Sequence, residues 1–175
     1  MNFDKIEREP ARVLGKFRKS STGIVSGADH PGSLGCTFYQ LEGGGVGTVF
    51  VSEQIHEGHR GMLHGGFIAA VLDELMGYSN SNTWEPMVKP VVTAEMTTSF
   101  RRPIMVGQTV FGFGTVQKID GRKRYTAAQL LDEEGNLLAA ARGMFITVEQ
   151  AGGTTPEDYK GQRILPIDEK DPKIL

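Results

Sequence analysis

The sequence predicts an α+β domain: an antiparallel sheet of five or six strands wrapped around one long central helix. Three observations carry that reading. Residues 65 to about 80 form the one long helical pattern, and its apolar positions run almost all the way round. Residues 91–102, 106–119, 124–131 and 137–148 read as four long strands in succession. Turn signals separate them: Pro103 and Gly107, then Asp120-Gly121, then the run from Asp132 to Asn136. A helix apolar on every side is buried rather than amphipathic. The meander must therefore cover it.

The elements follow in order. Residues 1–33 are polar and glycine-containing and read as an N-terminal extension, with 3–8 a short helix start and 20–35 a loop. Residues 34–41 suit a first strand and 42–45 a turn. Residues 46–55 suit a second strand, with Val46, Thr48, Phe50 and Ser52 alternating against Gly47, Val49, Val51 and Glu53. Residues 56–63 form a loop. In the helix, Phe67, Ile68, Val71, Leu72, Leu75 and Met76 cover most of the circumference. Residues 80–90, with Trp84 and Pro86, connect it to the meander. The alternation in 91–102 assigns Val92, Ala94, Met96 and Phe100 to the inner face and Thr93, Glu95, Thr97, Ser99 and Arg101 to a polar face. Residues 150–175 have few large apolar side chains and read as an extended or disordered tail. The domain proper is then 34–149.

Composition narrows the function. Of 175 residues, 39% are hydrophobic and 23% charged, ordinary for a globular chain. A net charge of −2 argues for neither a nucleic-acid nor a membrane partner. One cysteine, Cys36, excludes an internal disulfide framework and suits a reducing compartment. The charged N-terminus lacks the apolar core of a secretory signal, so a cytoplasmic location is the expectation.

Chemistry concentrates in residues 58–77. A His64-Gly65-Gly66 turn stands at the mouth of the helix, and Asp73 lies two turns inside it. A helix mouth offers unpaired N–H groups and the positive end of the dipole. An acid within an apolar helix is costly unless paired or used. Together they suggest an oxyanion site and a carboxylate base or nucleophile. Asp73 shares its face with Gly66, Ala69, Ala70 and Gly77, which leaves room beside the acid. Glu74, about 100° round the helix, is the competing acid.

The pattern resembles the hotdog-fold thioesterases of the phenylacetic-acid and 4-hydroxybenzoyl-CoA types. The matching pieces are His64-Gly65-Gly66, Leu72-Asp73-Glu74, Thr93-Ala-Glu-Met96, Phe100-Arg-Arg-Pro-Ile104 and Ala140-Ala-Arg-Gly-Met-Phe145. The resemblance covers about residues 34–148. The resemblance implies that the Gly65 N–H polarises a thioester carbonyl and that Asp73 acts as base or nucleophile. It further implies that Thr93 assists, that acyl-CoA is the substrate and that no separate cofactor is needed. Two positions depart from the family. Gly58 stands near a usual loop Asn, leaving His56 or His59 for that task, and Gly77 replaces a Thr found in the aryl-CoA type.

Geometry adds a requirement. Gly65 and Asp73 are eight residues apart, roughly 12 Å along one helix. A reacting carbon lies about 3 Å from both donor and base. If both residues serve one reaction, two subunits supply them, so a homodimer is expected and a dimer of dimers is compatible. His64 would orient the thioester end or hold the loop. Gly66, His59, Glu74, Arg101, Arg102, Arg122 and Lys123 are further substrate-binding candidates, the cations for CoA phosphates. His56 and His59 lack zinc-protease spacing and no metal is expected. Two other functions remain open on sequence: a hotdog β-hydroxyacyl dehydratase pairing His59 with Asp73, and a non-catalytic binder of acyl-CoA or a small ligand.

Overall fold

The computed structural model describes residues 9–19, 21–82, 90–149 and 164–175. The expected helix start at 3–8 and the residues Trp84, Pro86 and Met87 lie outside the described residues. Eight strands form one sheet around a single long helix: β1 (Val13–Phe17), β2 (Thr37–Leu41), β3 (Val46–Val51), α1 (Gly65–Ser79), β4 (Val91–Phe100), β5 (Thr109–Asp120), β6 (Lys123–Leu131), β7 (Leu137–Thr147) and β8 (Ile164–Leu165). The spatial order is β4-β7-β6-β5-β3-β2-β1-β8, and neighbouring strands all pair antiparallel.

The predicted α+β architecture holds, with a larger sheet. The two added strands come from outside 34–149. β1 pairs with β2 and β8 pairs with β1. Val13–Phe17 carries alternating buried positions, but only five residues of it sit in a polar, glycine-containing segment. The second predicted strand ends at Val51 and gives way to a 3₁₀ turn at Gln54–His56.

α1 is buried as its composition requires. Val71, Leu72, Leu75 and Met76 have no exposed surface and pack with Phe38, Val110, Leu130, Leu138 and Phe145 in one core. Each such side chain contributes about 1.5–3 kcal/mol on burial. The helix lies directly on β5, where a Cβ at Gly114 would come 2.5 Å from the Leu75 carbonyl oxygen. At its C-terminal end, Ser79 Oγ and Asn80 Nδ2 both donate to the Met76 carbonyl, at 2.7 and 2.9 Å. These bonds satisfy a last-turn acceptor. Among the described residues no helix is long and apolar enough to cross a membrane.

The inner face of β4 corrects the sequence reading. A bulge between Thr93 and Glu95 changes the phase of the strand against β7. Thr93 stands opposite Phe145, Thr98 opposite Ala141 and Phe100 opposite Ala139, all three partners buried members of the core around α1. Directly opposed residues share a face. Thr93, Met96, Thr98 and Phe100 therefore face the helix, and Val92 and Ala94 do not. Period-two counting across the bulge had placed Thr93 on the wrong side. Nor does α1 seal this face: Met96 remains 36% and Phe100 55% exposed.

The last described segment is docked rather than free. Ile167 and Leu175 pack with Val13, Tyr39, Leu41 and Phe113 in a second, small cluster. Ala11 and Leu175 exchange backbone bonds at 2.7 and 3.0 Å. Lys16 Nζ donates to Asp168 and Asp171, both at 2.8 Å, and Tyr39 donates to Asp171 at 3.0 Å. Burial alone would raise the Asp171 carboxyl, but these bonds and the Asp168 amide outweigh it and hold it low. Tyr39 is pushed up to about 12 by burial and by its bond to Asp171.

Candidate active site

The loop before α1 is built to present one unpaired N–H. His64 donates its backbone N–H to the His56 carbonyl at 2.9 Å, and Leu63 donates to Ile104 at 2.9 Å, so the loop is pinned on two sides. His64 is the N-cap: its Nδ1 accepts the Gly66 N–H at 2.9 Å. That ring position explains two glycines. A Cβ at Gly66 would lie 2.9 Å from Nδ1, and one at Gly58 would lie 2.9 Å from the His64 Cα and Cδ2. The absence of a loop Asn at position 58 thus has a steric cause. With Gly66 capped, the first helical N–H, that of Gly65, has no acceptor among the described residues.

This N–H stands at a cleft of about 620 Å³ lined by His59, His64, Gly65, Ile68, Phe100, Arg101 and Arg102, among others. Helix mouth, dipole and free donor together make an anion-stabilising position. Phe100 closes one side, its ring carbons 3.7–3.8 Å from where a Gly65 Cβ would be. Of the two loop histidines, His59 is exposed and lines the cleft. His56 is buried: its Nδ1 takes the Glu53 N–H at 2.9 Å and its ring meets Phe67 edge-on at 5.0 Å. Among the described residues no cluster of three or more His, Cys, Asp or Glu side chains could hold a metal.

Asp73 lies two turns further along α1, on the side that faces β4. Thr93 Oγ1 donates to Asp73 Oδ1 at 2.7 Å, which fixes the carboxylate. The bulge makes this bond, because it turns Thr93 inward. Glu74 points elsewhere. Ser26 Oγ donates to its Oε2 at 3.1 Å beneath the loop preceding β2. Burial raises the Glu74 carboxyl, Ser26 opposes the shift, and the neighbouring Asp73 adds to it. Ser26 was not legible as a partner, since a serine in a polar loop carries no such signal.

The cations divide between two ends of the strand. Arg101 and Arg102 follow Phe100 at the cleft, their N–H groups on the Leu138 carbonyl at 2.8 and 3.1 Å. Arg122 and Lys123 sit at the β5–β6 turn, where the Thr147 N–H bonds the Arg122 carbonyl and Val91 pairs with Thr147. Within one chain, then, Gly65, His64, His59, Arg101 and Arg102 gather at one end of β4. Asp73, Thr93, Arg122 and Lys123 lie toward the other.

Comparison with known proteins agrees with this architecture. The thioesterase superfamily model matches residues 60–139. Acyl-coenzyme A thioesterase THEM4 of Xenopus laevis is 30% identical over 112 residues, covering 63% of this chain and 49% of the relative. The chain spans between 39% and 66% of the lengths of three curated relatives it matches. Among solved structures, a thioesterase superfamily protein superposes with a TM-score of 0.65 at 25% identity, over 71% of this chain and 59% of that one. The PaaI protein of the E. coli phenylacetic acid degradation operon superposes with a TM-score of 0.59 at 18% identity, over 66% and 80%. The described domain thus has the hotdog fold, and its residues 60–139 match the thioesterase superfamily model.

Proposed function

We propose that the protein hydrolyses an acyl-CoA thioester to a carboxylic acid and CoA, as a homodimer whose two sites each draw on both subunits. The observation that carries this is the attachment of the two chemical groups to opposite ends of one open edge strand. Asp73 is tied to Thr93 near the start of β4, and Gly65 abuts Phe100 at its end. Among the described residues β4 neighbours only β7, and its other edge has no strand paired to it. Two copies of β4 pairing antiparallel about the strand's middle bring Phe100 of one subunit beside Thr93 of the other. Gly65 then meets the partner's carboxylate, which one helix cannot supply across roughly 12 Å. The same pairing brings the partner's Arg122 and Lys123 toward the Arg101 end, where CoA phosphates need cations.

In this reading the thioester carbonyl oxygen accepts the Gly65 N–H, which strengthens as the oxygen gains charge. Asp73 of the second subunit removes a proton from the attacking water, or attacks the carbonyl carbon itself to give an anhydride that water then hydrolyses. CoA thiolate leaves and takes a proton from solvent. His64 holds the donor in place through the Gly66 cap, and Thr93 holds the acid. The CoA assignment draws on the THEM4 relative's name and on the cationic cleft.

The test is a panel of aryl and C2 to C16 acyl-CoAs with free thiol as the readout. Turnover of at least one member above the uncatalysed rate is expected. Binding without thiol release across the whole panel would replace the enzyme by a binding protein.

A further inference from the structure

We infer that the outer edge of β1 is a second self-pairing surface, which residues 164–175 occupy in place of another copy of the chain. The inference stands independently of the thioesterase reading.

β1 pairs with β2 along one edge, and residues 164–175 run antiparallel along the other in two separate stretches. Ile164 and Leu165 pair with Phe17 and Lys16. Further on, the Val13 N–H bonds the Lys173 carbonyl at 2.9 Å, and Ala11 exchanges its bonds with Leu175. Between the two stretches a turn brings Asp168 and Asp171 onto Lys16. The segment grips the sheet from both sides. Ile164 packs against the core around α1, while Ile167 and Leu175 join the small cluster with Tyr39. Phe38 of the core and Tyr39 of that cluster are successive strand residues, so the two lie on opposite faces. Gly15 admits the segment. A Cβ there would collide with Ile164 Cγ2 and come 3.0 Å from the Leu165 carbonyl oxygen. Its φ lies outside the left-handed region, so the close contact is what requires glycine in this strand.

What the segment covers differs from what it presents. A bare β1 edge is a row of backbone donors and acceptors, a template for another strand. The segment turns the opposite character outward. Pro166 and Pro172 have no N–H to give, and Asp168, Glu169, Lys170 and Lys173 place charge along it. Its regular pairing is only two residues long. A pairable edge is thus exchanged for one that resists pairing. Strand addition draws its affinity from main-chain bonds, so it asks for a free edge rather than for particular side chains. The free edge that every copy would offer is β1 itself. At the far side of the sheet, β4 has no strand paired to its outer edge among the described residues. Two self-pairing edges on each subunit would build an open-ended row, and closing one of them ends it.

The experiment reads mass against concentration by sedimentation for the full chain as wild type, Gly15→Val and Asp171→Lys, with circular dichroism to follow the fold. Valine displaces the segment through its clash with Ile164, yet suits a strand. Asp171→Lys sets a second ammonium against Lys16 and leaves β1 untouched, so it decides alone if Gly15→Val does not fold. Each folded variant should exceed the wild-type mass by about twofold or more, rising with concentration. An excess of a synthetic peptide of residues 164–175 should return Asp171→Lys toward the wild-type mass and leave Gly15→Val unmoved. Folded variants that match the wild-type mass at every concentration would overturn the inference. Growth of Asp171→Lys that the peptide does not reverse would overturn it too.

Discussion

Asp73 and Glu74 are neighbours in the chain, yet they bond to different elements on different sides of α1. Asp73 takes a bond from Thr93 on β4, while Glu74 takes one from Ser26 and is largely desolvated. Their replacements should therefore separate. Asp73→Asn should lower kcat by at least about a hundredfold with little change in melting, measured by thiol release and calorimetry. Glu74→Gln should keep most activity. Burial raises the Glu74 carboxyl above its ordinary value, so the folded chain holds that proton more tightly than the unfolded one. Stability from this group then falls as pH rises from the ordinary carboxylate range through the raised value. Glu74→Gln removes that dependence and should raise the melting temperature at neutral pH by roughly a few degrees. Equal loss of activity in both variants would contradict the division. The spacing of Gly65 and Asp73 was readable because a helix has a fixed rise. The direction each acid takes was not, because Ser26 lies 48 residues away in the chain.

At the scale of the element, α1 and the meander strands were legible because their patterns are long and uninterrupted. β1 and β8 were not: five and two residues carry too little periodicity, and their pairing is settled by tertiary docking. β4 was found but misphased, since a bulge leaves no mark in an alternation read one residue at a time. The bulge matters beyond register. It is the reason Thr93 reaches Asp73 at all. The seat of the helix on β5 is equally local in cause. Gly114→Ala would drive a methyl into the Leu75 backbone, and the expected loss is about 1–3 kcal/mol in denaturant unfolding. A neutral result would mean that α1 shifts freely on the sheet, and the fixed distance between helix mouth and β4 would go with it.

Across the whole molecule the two edges of the sheet differ. At one edge stands the two-residue β8, beside a C-terminal segment tied down by Lys16, Asp168, Asp171 and Tyr39. At the other, β4 offers ten residues with Val92, Met96 and Phe100 exposed. A long, apolar edge strand is a template for pairing, and proteins ordinarily cover it. Here the covering copy would also complete the chemistry. This is the central claim, and subunit complementation tests it most directly. Gly65→Pro removes the free N–H at the first helical position, where proline is well tolerated and His64 already has the extended backbone that precedes it. Asp73→Asn removes the acid. Each homodimer should be nearly inactive. A mixed dimer regains one intact site, so an equal mixture after subunit exchange should recover about a quarter of wild-type activity. Recovery at that level is the predicted result. A mixture confirmed to contain mixed dimers, yet no more active than its two parents, would contradict a site shared between subunits.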